Sequence, residues 1–164
     1  MPASLPDANT LITRLVDAIA PTLTADSFIV GIHTGGVWVA ERLHALLHCS
    51  TPLGTLDISF YRDDFSRIGL HPQVKPSNLP FDLEGRTILL VDDVLHSGRT
   101  VRAAMNELFD YGRPASIQLA VLVDRGGHEL PIRPDFVGLT LAVPDHQNIN
   151  LSRLDDGHLT LSLA

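Results

Sequence analysis

The chain has 164 residues, 45% hydrophobic and 19% charged, with no repeat or low-complexity tract, which excludes a disordered or fibrous protein. Twelve basic against nineteen acidic residues leave a net charge of −7, which repels a phosphate backbone unless the cations gather on one face. Cys49 is the only cysteine, so an internal disulfide or a thiolate metal cluster is excluded. We expect one domain over residues 1–164, burying roughly 70% of the surface its unfolded form exposes. There is no cationic leader before an apolar run and no stretch long enough to span a bilayer, so a soluble, cytoplasmic protein is expected.

The first helix is predicted in LITRLVDAIA, where Leu11, Ile12, Leu15, Val16 and Ile19 form an apolar stripe, Asp7 or Asn9 can cap the start, and Pro21 lies beyond the end. FIVGIH follows as a short β-branched strand. After the glycines, VWVAERLHALLH places Val39, Leu43, Leu46 and Leu47 at helical spacing. LGTLDISF, residues 53–60, reads as a second strand. From Tyr61 onward the chain turns polar, with three prolines and the only lysine, Lys75, and no apolar periodicity, so residues 61–80 are expected to form a long functional arm.

TILLVD is too apolar to have a wet face and predicts a buried parallel strand. In the next helix Val101, Ala104, Met105 and Leu108 share one stripe, opposite Arg102, Asn106, Asp110 and Arg113, and Gly112 with Pro114 ends it. SIQLAVLV and FVGLTLAV read as further strands. NINLSRL and HLTLSL, joined through Asp155, Asp156 and Gly157, read as a terminal hairpin. Strands alternating with helices imply an α/β fold: a mainly parallel twisted sheet flanked by helices.

The stretch ILLVDDVLHSGRT carries the chemistry. Ligands of open parallel sheets bind outside the carboxyl ends of the strands, so Asp92 and Asp93 should face a crevice. Adjacent carboxylates stay ionised there if a cation or ligand hydroxyls meet them, and Mg2+ brought by a phosphorylated ligand does both. His96, Ser97, Gly98, Arg99 and Thr100 lead onto a helix N-terminus, which favours an anion by roughly 0.3–2 kcal/mol. The pattern thus fits a diol at the acids and a phosphate at the helix. A P-loop is excluded because no lysine follows Gly98. A two-component receiver domain places its paired acids near its start and needs a downstream lysine, whereas Lys75 lies upstream. An acidic strand end with a polar helix cap accounts for either half of the motif, but poorly for both together.

VDDVLHSGRT resembles the phosphoribosyl-pyrophosphate (PRPP) motif of type I phosphoribosyltransferases. YRDD at 61–64, VKPSNLPFD at 74–82, GRPASIQLAVLVDRG at 112–126 and ELPIRPDFVG at 129–138 narrow the resemblance to the PyrR family of pyrimidine operon attenuators and uracil phosphoribosyltransferases. That resemblance, over roughly residues 28–140, implies a type I phosphoribosyltransferase fold with a flexible arm, to which the pattern adds the C-terminal hairpin. It also implies conversion of uracil and PRPP to UMP and pyrophosphate, with Mg2+ held on PRPP beside Asp92 and Asp93. By the same resemblance, Asp92 and Asp93 would bind the ribose hydroxyls, and Val94 and Leu95 with His96 to Thr100 would complete the PRPP site. The loop of His33, Thr34, Gly35 and Gly36 would receive pyrophosphate through its backbone, with a strained or cis peptide at Thr34 and Gly35. Arg62, Arg67 and Lys75 on the arm would close over the site, and Val123, Asp124, Arg125 and Ile132 would line the uracil side. A homo-oligomer is expected on the same grounds.

Two departures from the family pattern matter. HTGG stands where R-T-R-G is common, so two cations near the pyrophosphate are missing and weaker PRPP binding is expected. The family's regulators bind leader RNA through a basic face, but residues 1–60 hold only Arg14 and Arg42 against Asp7, Asp17, Asp26, Glu41 and Asp57. RNA binding is therefore disfavoured, although a UMP- or UTP-sensing regulator remains the alternative to the enzyme. His96 occupies the variable position of the motif, where it could cover the sugar or shuttle the uracil N1 proton; covering is favoured. His44 and His48 lie four apart but lack the H-E-x-x-H glutamate and read as a solvated face. Arg125 could contact ligand or pair with Asp124 or Glu129, and Cys49 reads as a small buried hydrophobe at a helix end.

Overall fold

The computed structural model describes residues 4–58 and 77–164. Helix α1 spans Ala8–Ile19 and is capped by Asp7, whose Oδ1 accepts the Asn9 backbone N–H at 2.7 Å. Its stripe of Leu11, Ile12, Leu15 and Ile19 is fully buried, as the 3.6-residue spacing requires. β1 (Ser27–Ile32), α2 (Gly35–Leu46) and β2 (Gly54–Leu56) form the first β-α-β unit. β3 (Thr87–Leu95), α3 (Arg99–Tyr111) and β4 (Ser116–Asp124) form the second, and β5 (Phe136–Thr140) follows. All four pairings in the five-stranded sheet are parallel, in the order β2-β1-β3-β4-β5. β6 (Ile149–Arg153) and β7 (Leu159–Leu163) pair as the expected antiparallel hairpin.

The sheet divides two apolar layers by simple alternation. Ile29, Leu89, Val91, Ala120 and Leu122 face α1, α2 and the hairpin, which contributes Ile149 and Leu159. Phe28, Val30, Ile32, Ile88, Leu90, Leu119 and Val121 face α3 and Leu83. With both faces covered, the central strands read as continuous apolar runs.

Three expectations are refined. The second strand is three residues long rather than 53–60, although Ile58 beyond it is buried at 2% exposure. β3 continues past the aspartates to Leu95, because β4 runs alongside and pairs Leu95 with Asp124. α2 ends at Leu46, so His44 and His48 do not share a helix: His44 Nε2 meets the Thr51 carbonyl at 2.6 Å, and His48 takes a left-handed φ of 53°. No group of three or more potential metal-binding side chains occurs among the described residues. Cys49 is half-buried against the core, and burial pushes its thiol pKa up. None of the described helices is long and apolar enough to cross a membrane.

Candidate active site at the carboxyl edge of the sheet

The strand order reverses direction at β1 and β3. From β1 the chain moves outward to β2, and from β3 it moves the other way to β4 and β5, which opens a crevice between the carboxyl ends of β1 and β3. The loops after these two strands are the two that the motifs single out. Each leads directly into a helix, α2 from the first and α3 from the second, so two helix N-termini meet the crevice. Neither has an acidic residue in its first turn or a cap hydrogen bond from the side chain of its own N-cap residue, Thr34 or Gly98. Their N-terminal dipoles favour negative charge at the crevice.

Asp92 and Asp93 lie between them. Asp92 is 6% exposed, and its Oδ1 accepts the Asp93 backbone N–H at 2.9 Å. Asp93 Oδ1 accepts the Val94 N–H at 2.8 Å. The loop after β1 backs onto both acids: the peptide between His33 and Thr34 is cis, one bond before the expected position. A Cβ on Gly35 would overlap the Asp93 carboxylate, standing 2.7 Å from its Cγ, and one on Gly36 would stand 2.7 Å from the Val91 carbonyl oxygen. The two glycines are thus the condition for close approach of this loop to the acids.

On the other side, Gly98 begins α3 with φ 94°, and Ser97 Oγ accepts the Arg99 N–H at 3.2 Å. Arg99 is largely exposed and pairs with Glu129 at 2.8 Å, while Thr100 is half-buried in the first turn. The His96 ring rests on the backbone of Gly127, and its Nε2 is 3.7 Å from Asp145 Oδ1. Val94 packs against the α1–α2 layer and Leu95 is buried on the α3 side.

Of the four residues expected on the uracil side, Val123 belongs to the core under α1 and α2, Asp124 and Arg125 begin the turn whose Gly127 lies against His96, and Ile132 lies beside α3. Val123 is fully buried, and Ile132 packs beside Gly98. Asp124 accepts from His128 Nε2 at 2.8 Å. Arg125 is 5% exposed and pairs with neither Asp124 nor Glu129: Nη2 donates to the Val143 and Pro144 carbonyls at 3.4 and 3.0 Å, and Nε is buried with no partner. Sequence reasoning left His128 without a role, and the partnership with Asp124 has a faint signal in their i,i+4 spacing around two glycines. Arg62, Arg67 and Lys75 fall outside the described residues.

A sheet with its switch point here, two helix N-termini and a pair of acids between them form a crevice suited to a ligand that carries two anionic groups and a diol. The chain matches the phosphoribosyl transferase domain family over residues 2–152. Among solved structures it is similar to a hypoxanthine-guanine phosphoribosyltransferase from Bacillus anthracis, with TM-score 0.67 and 16% identity over 87% of this chain and 85% of that one. It is also similar to a purine phosphoribosyltransferase from Pyrococcus horikoshii, with TM-score 0.63 and 23% identity over 90% and 93%. These likenesses establish the fold. The curated Bifunctional protein PyrR of Pseudomonas fluorescens is 54% identical over 91% of both chains, and that of Pseudomonas savastanoi pv. phaseolicola is 56% identical over 91% of this chain and 90% of its own. The chain belongs to the PyrR family of phosphoribosyltransferases.

Proposed function

We propose that this protein is a cytoplasmic uracil phosphoribosyltransferase, acting as a single-domain homo-oligomer, that forms UMP and pyrophosphate from uracil and PRPP. The observation that supports this most directly is the placement of two helix N-termini, neither with an acidic residue in its first turn, on either side of Asp92 and Asp93. PRPP carries a phosphate at one end of a ribose and a pyrophosphate at the other, with a cis-diol between them. The α3 turn from His96 to Thr100 suits the 5′-phosphate, the α2 turn from His33 to Gly36 suits the pyrophosphate, and the carboxylates suit the diol. Uracil N1 attacks the anomeric carbon as the C–O bond to pyrophosphate breaks, and N1 gives up its proton. The negative charge of the two aspartates favours the positive charge that develops on the ribose.

Asp92 and Asp93 offer hard oxygen ligands but no third protein ligand among the described residues, which fits Mg2+ shared with substrate oxygens rather than a protein cage. Bound there, the ion would screen the leaving pyrophosphate. A coupled assay of UMP formation from uracil and PRPP, beside hypoxanthine, guanine and orotate, tests the reading. Turnover of a purine without uracil would refute it. His96 covers the sugar, so His96→Tyr is expected to keep turnover within about tenfold and leave the pH profile unchanged; loss of the acidic limb would assign it a proton shuttle instead.

The relatives' name, bifunctional, favours a second reading as a UMP- or UTP-responsive regulator that binds pyrimidine leader RNA. Against a basic face near the N-terminus, Arg14 donates to the Gly138 carbonyl at 3.3 Å and Arg42 to Asn9 Oδ1 at 2.5 Å. A gel shift with the pyrimidine leader RNA, with and without UMP, decides it: absent or salt-insensitive binding removes the regulator.

A further inference from the structure

We infer that Asp124 and His128 are positioning residues that set the stance of His96 and, through it, the base side of the crevice; this rests on the transferase reading above. Asp124 closes β4 beside Leu95 and is 7% exposed. One of its oxygens, Oδ1, takes two donors, the Gly126 backbone N–H at 3.0 Å and His128 Nε2 at 2.8 Å. Gly126 and Gly127 carry φ 75° and 74°, two successive left-handed residues that bring the chain back on itself, a conformation glycine adopts without steric cost. The result is a closed turn with Gly127 at its outer edge. Hydrogen bonds to a buried carboxylate are the strong kind, so the turn is stiff.

His96 is bound to that turn from three sides. A Cβ on Gly127 would stand 2.8 Å from both Cδ2 and Nε2 of His96, so the imidazole lies directly on bare backbone. Before it in the chain, the Leu95 carbonyl accepts the Arg125 N–H at 3.0 Å. After it, the Ser97 carbonyl accepts the N–H groups of Glu129 and Leu130 at 2.9 and 3.3 Å. Both neighbours of His96 and its ring therefore register on residues 125–130. His128, with a side chain only 12% exposed, acts on His96 through the turn rather than by contact. The other charged groups around the turn are Arg99, paired with Glu129, Arg125, whose Nη2 donates to carbonyls, and the exposed Asp145, 3.7 Å from His96 Nε2.

The test combines two readouts on the full chain. In ligand-free protein with labelled histidine, the His96 ring signal is assigned by its loss in His96→Ala, then followed in Gly127→Ala, His128→Phe and His128→Gln. Gly127→Ala and His128→Phe should shift it, and His128→Gln, which can still donate to Asp124, should restore it. In steady-state kinetics, Gly127→Ala and His128→Phe should raise the KM for uracil about fivefold and, because His96 also covers the sugar, the KM for PRPP by a smaller factor. Neither should add to the effect of His96→Ala when combined with it. An unmoved His96 signal, or kinetic losses that multiply with His96→Ala, overturns the inference. If Gly127→Ala does not fold, the two His128 variants decide alone. If wild-type protein forms no UMP, the transferase reading fails while the ring signal still decides this one.

Discussion

The loops after β1 and after β4 both frame the crevice, and they hold their shapes by opposite means. The first, His33 to Gly36, is shaped by missing atoms: Gly35 and Gly36 let backbone press against Asp93, Asp92 and Val91. The second, Asp124 to His128, is shaped by added ones, a buried carboxylate that gathers two donors on one oxygen. In the first loop an extra methyl group is the damaging change, and in the second the loss of a hydrogen-bond partner is damaging as well. One wall is tuned by volume and the other by volume at Gly127 and hydrogen bonding at Asp124.

The proposed reaction takes place at the acids between the two walls, so Asp93→Asn is expected to have the largest effect, about 10²–10³ off the rate of UMP formation with little change in melting temperature. Turnover within tenfold of wild type would remove the aspartates from the centre of the scheme. Gly36→Ala attacks the volume-tuned wall where its neighbour is backbone, and overpacking should cost about 1–3 kcal/mol of stability in urea unfolding. Wild-type stability there would mean the loop is not wedged against β3.

Gly35 separates volume from charge at one position. Gly35→Ala should raise the KM for PRPP about fivefold by displacing the Asp93 carboxylate, and Gly35→Arg should recover part of that loss by supplying a cation near the pyrophosphate. The absent arginine alone suggested that restoring it would simply tighten PRPP binding; the contact with Asp93 makes alanine the necessary control. If alanine is silent, the cradle does not hold Asp93.

The smallest effect concerns Glu107 on α3, away from both loops. Its pKa is raised, first by burial and then by Asp57 and Asp110, against the lowering effect of the Ser77 hydroxyl that donates to Oε1 at 2.7 Å. The folded protein therefore holds this proton more tightly than the unfolded chain, whose glutamate titrates in the ordinary carboxylate range. The associated stability is present below that range and is lost as pH rises through the folded value. Glu107→Gln should raise the melting temperature by roughly 2 °C at neutral pH and by less in acid. Equal shifts at pH 4 and pH 7 would contradict the assignment.

The fold was legible where burial imposes a period. TILLVD and the stripe of Val101, Ala104 and Leu108 announced β3 and α3 because each must hide apolar atoms at fixed intervals. β2 was overread since Ile58 is buried without belonging to the ladder, and apolarity marks burial rather than pairing. The strand carrying the acids was underread because its continuation to Leu95 depends on β4, a partner distant in sequence. At the site, Asp92, Asp93 and the α3 turn stood out because their chemistry is contiguous. The Asp93–Gly35 contact, Arg125 turned toward Val143 and Pro144, and His96 seated on Gly127 join separate segments, so no local pattern carried them.

The central pairing of β1 with β3 also has a kinetic meaning. Ser27 to Gly31 pair with Thr87 to Val91, so the sheet's middle seam joins segments separated by the whole arm. During synthesis the crevice cannot assemble until β3 has emerged, and β1, α2 and β2 must wait with an apolar edge uncovered. The pairing of Thr55 in β2 with Asn78, two backbone hydrogen bonds of 2.8 Å, shortens the effective closure once it forms. Strengthening that small bridge is therefore expected to speed folding, although it lies outside the proposed active site.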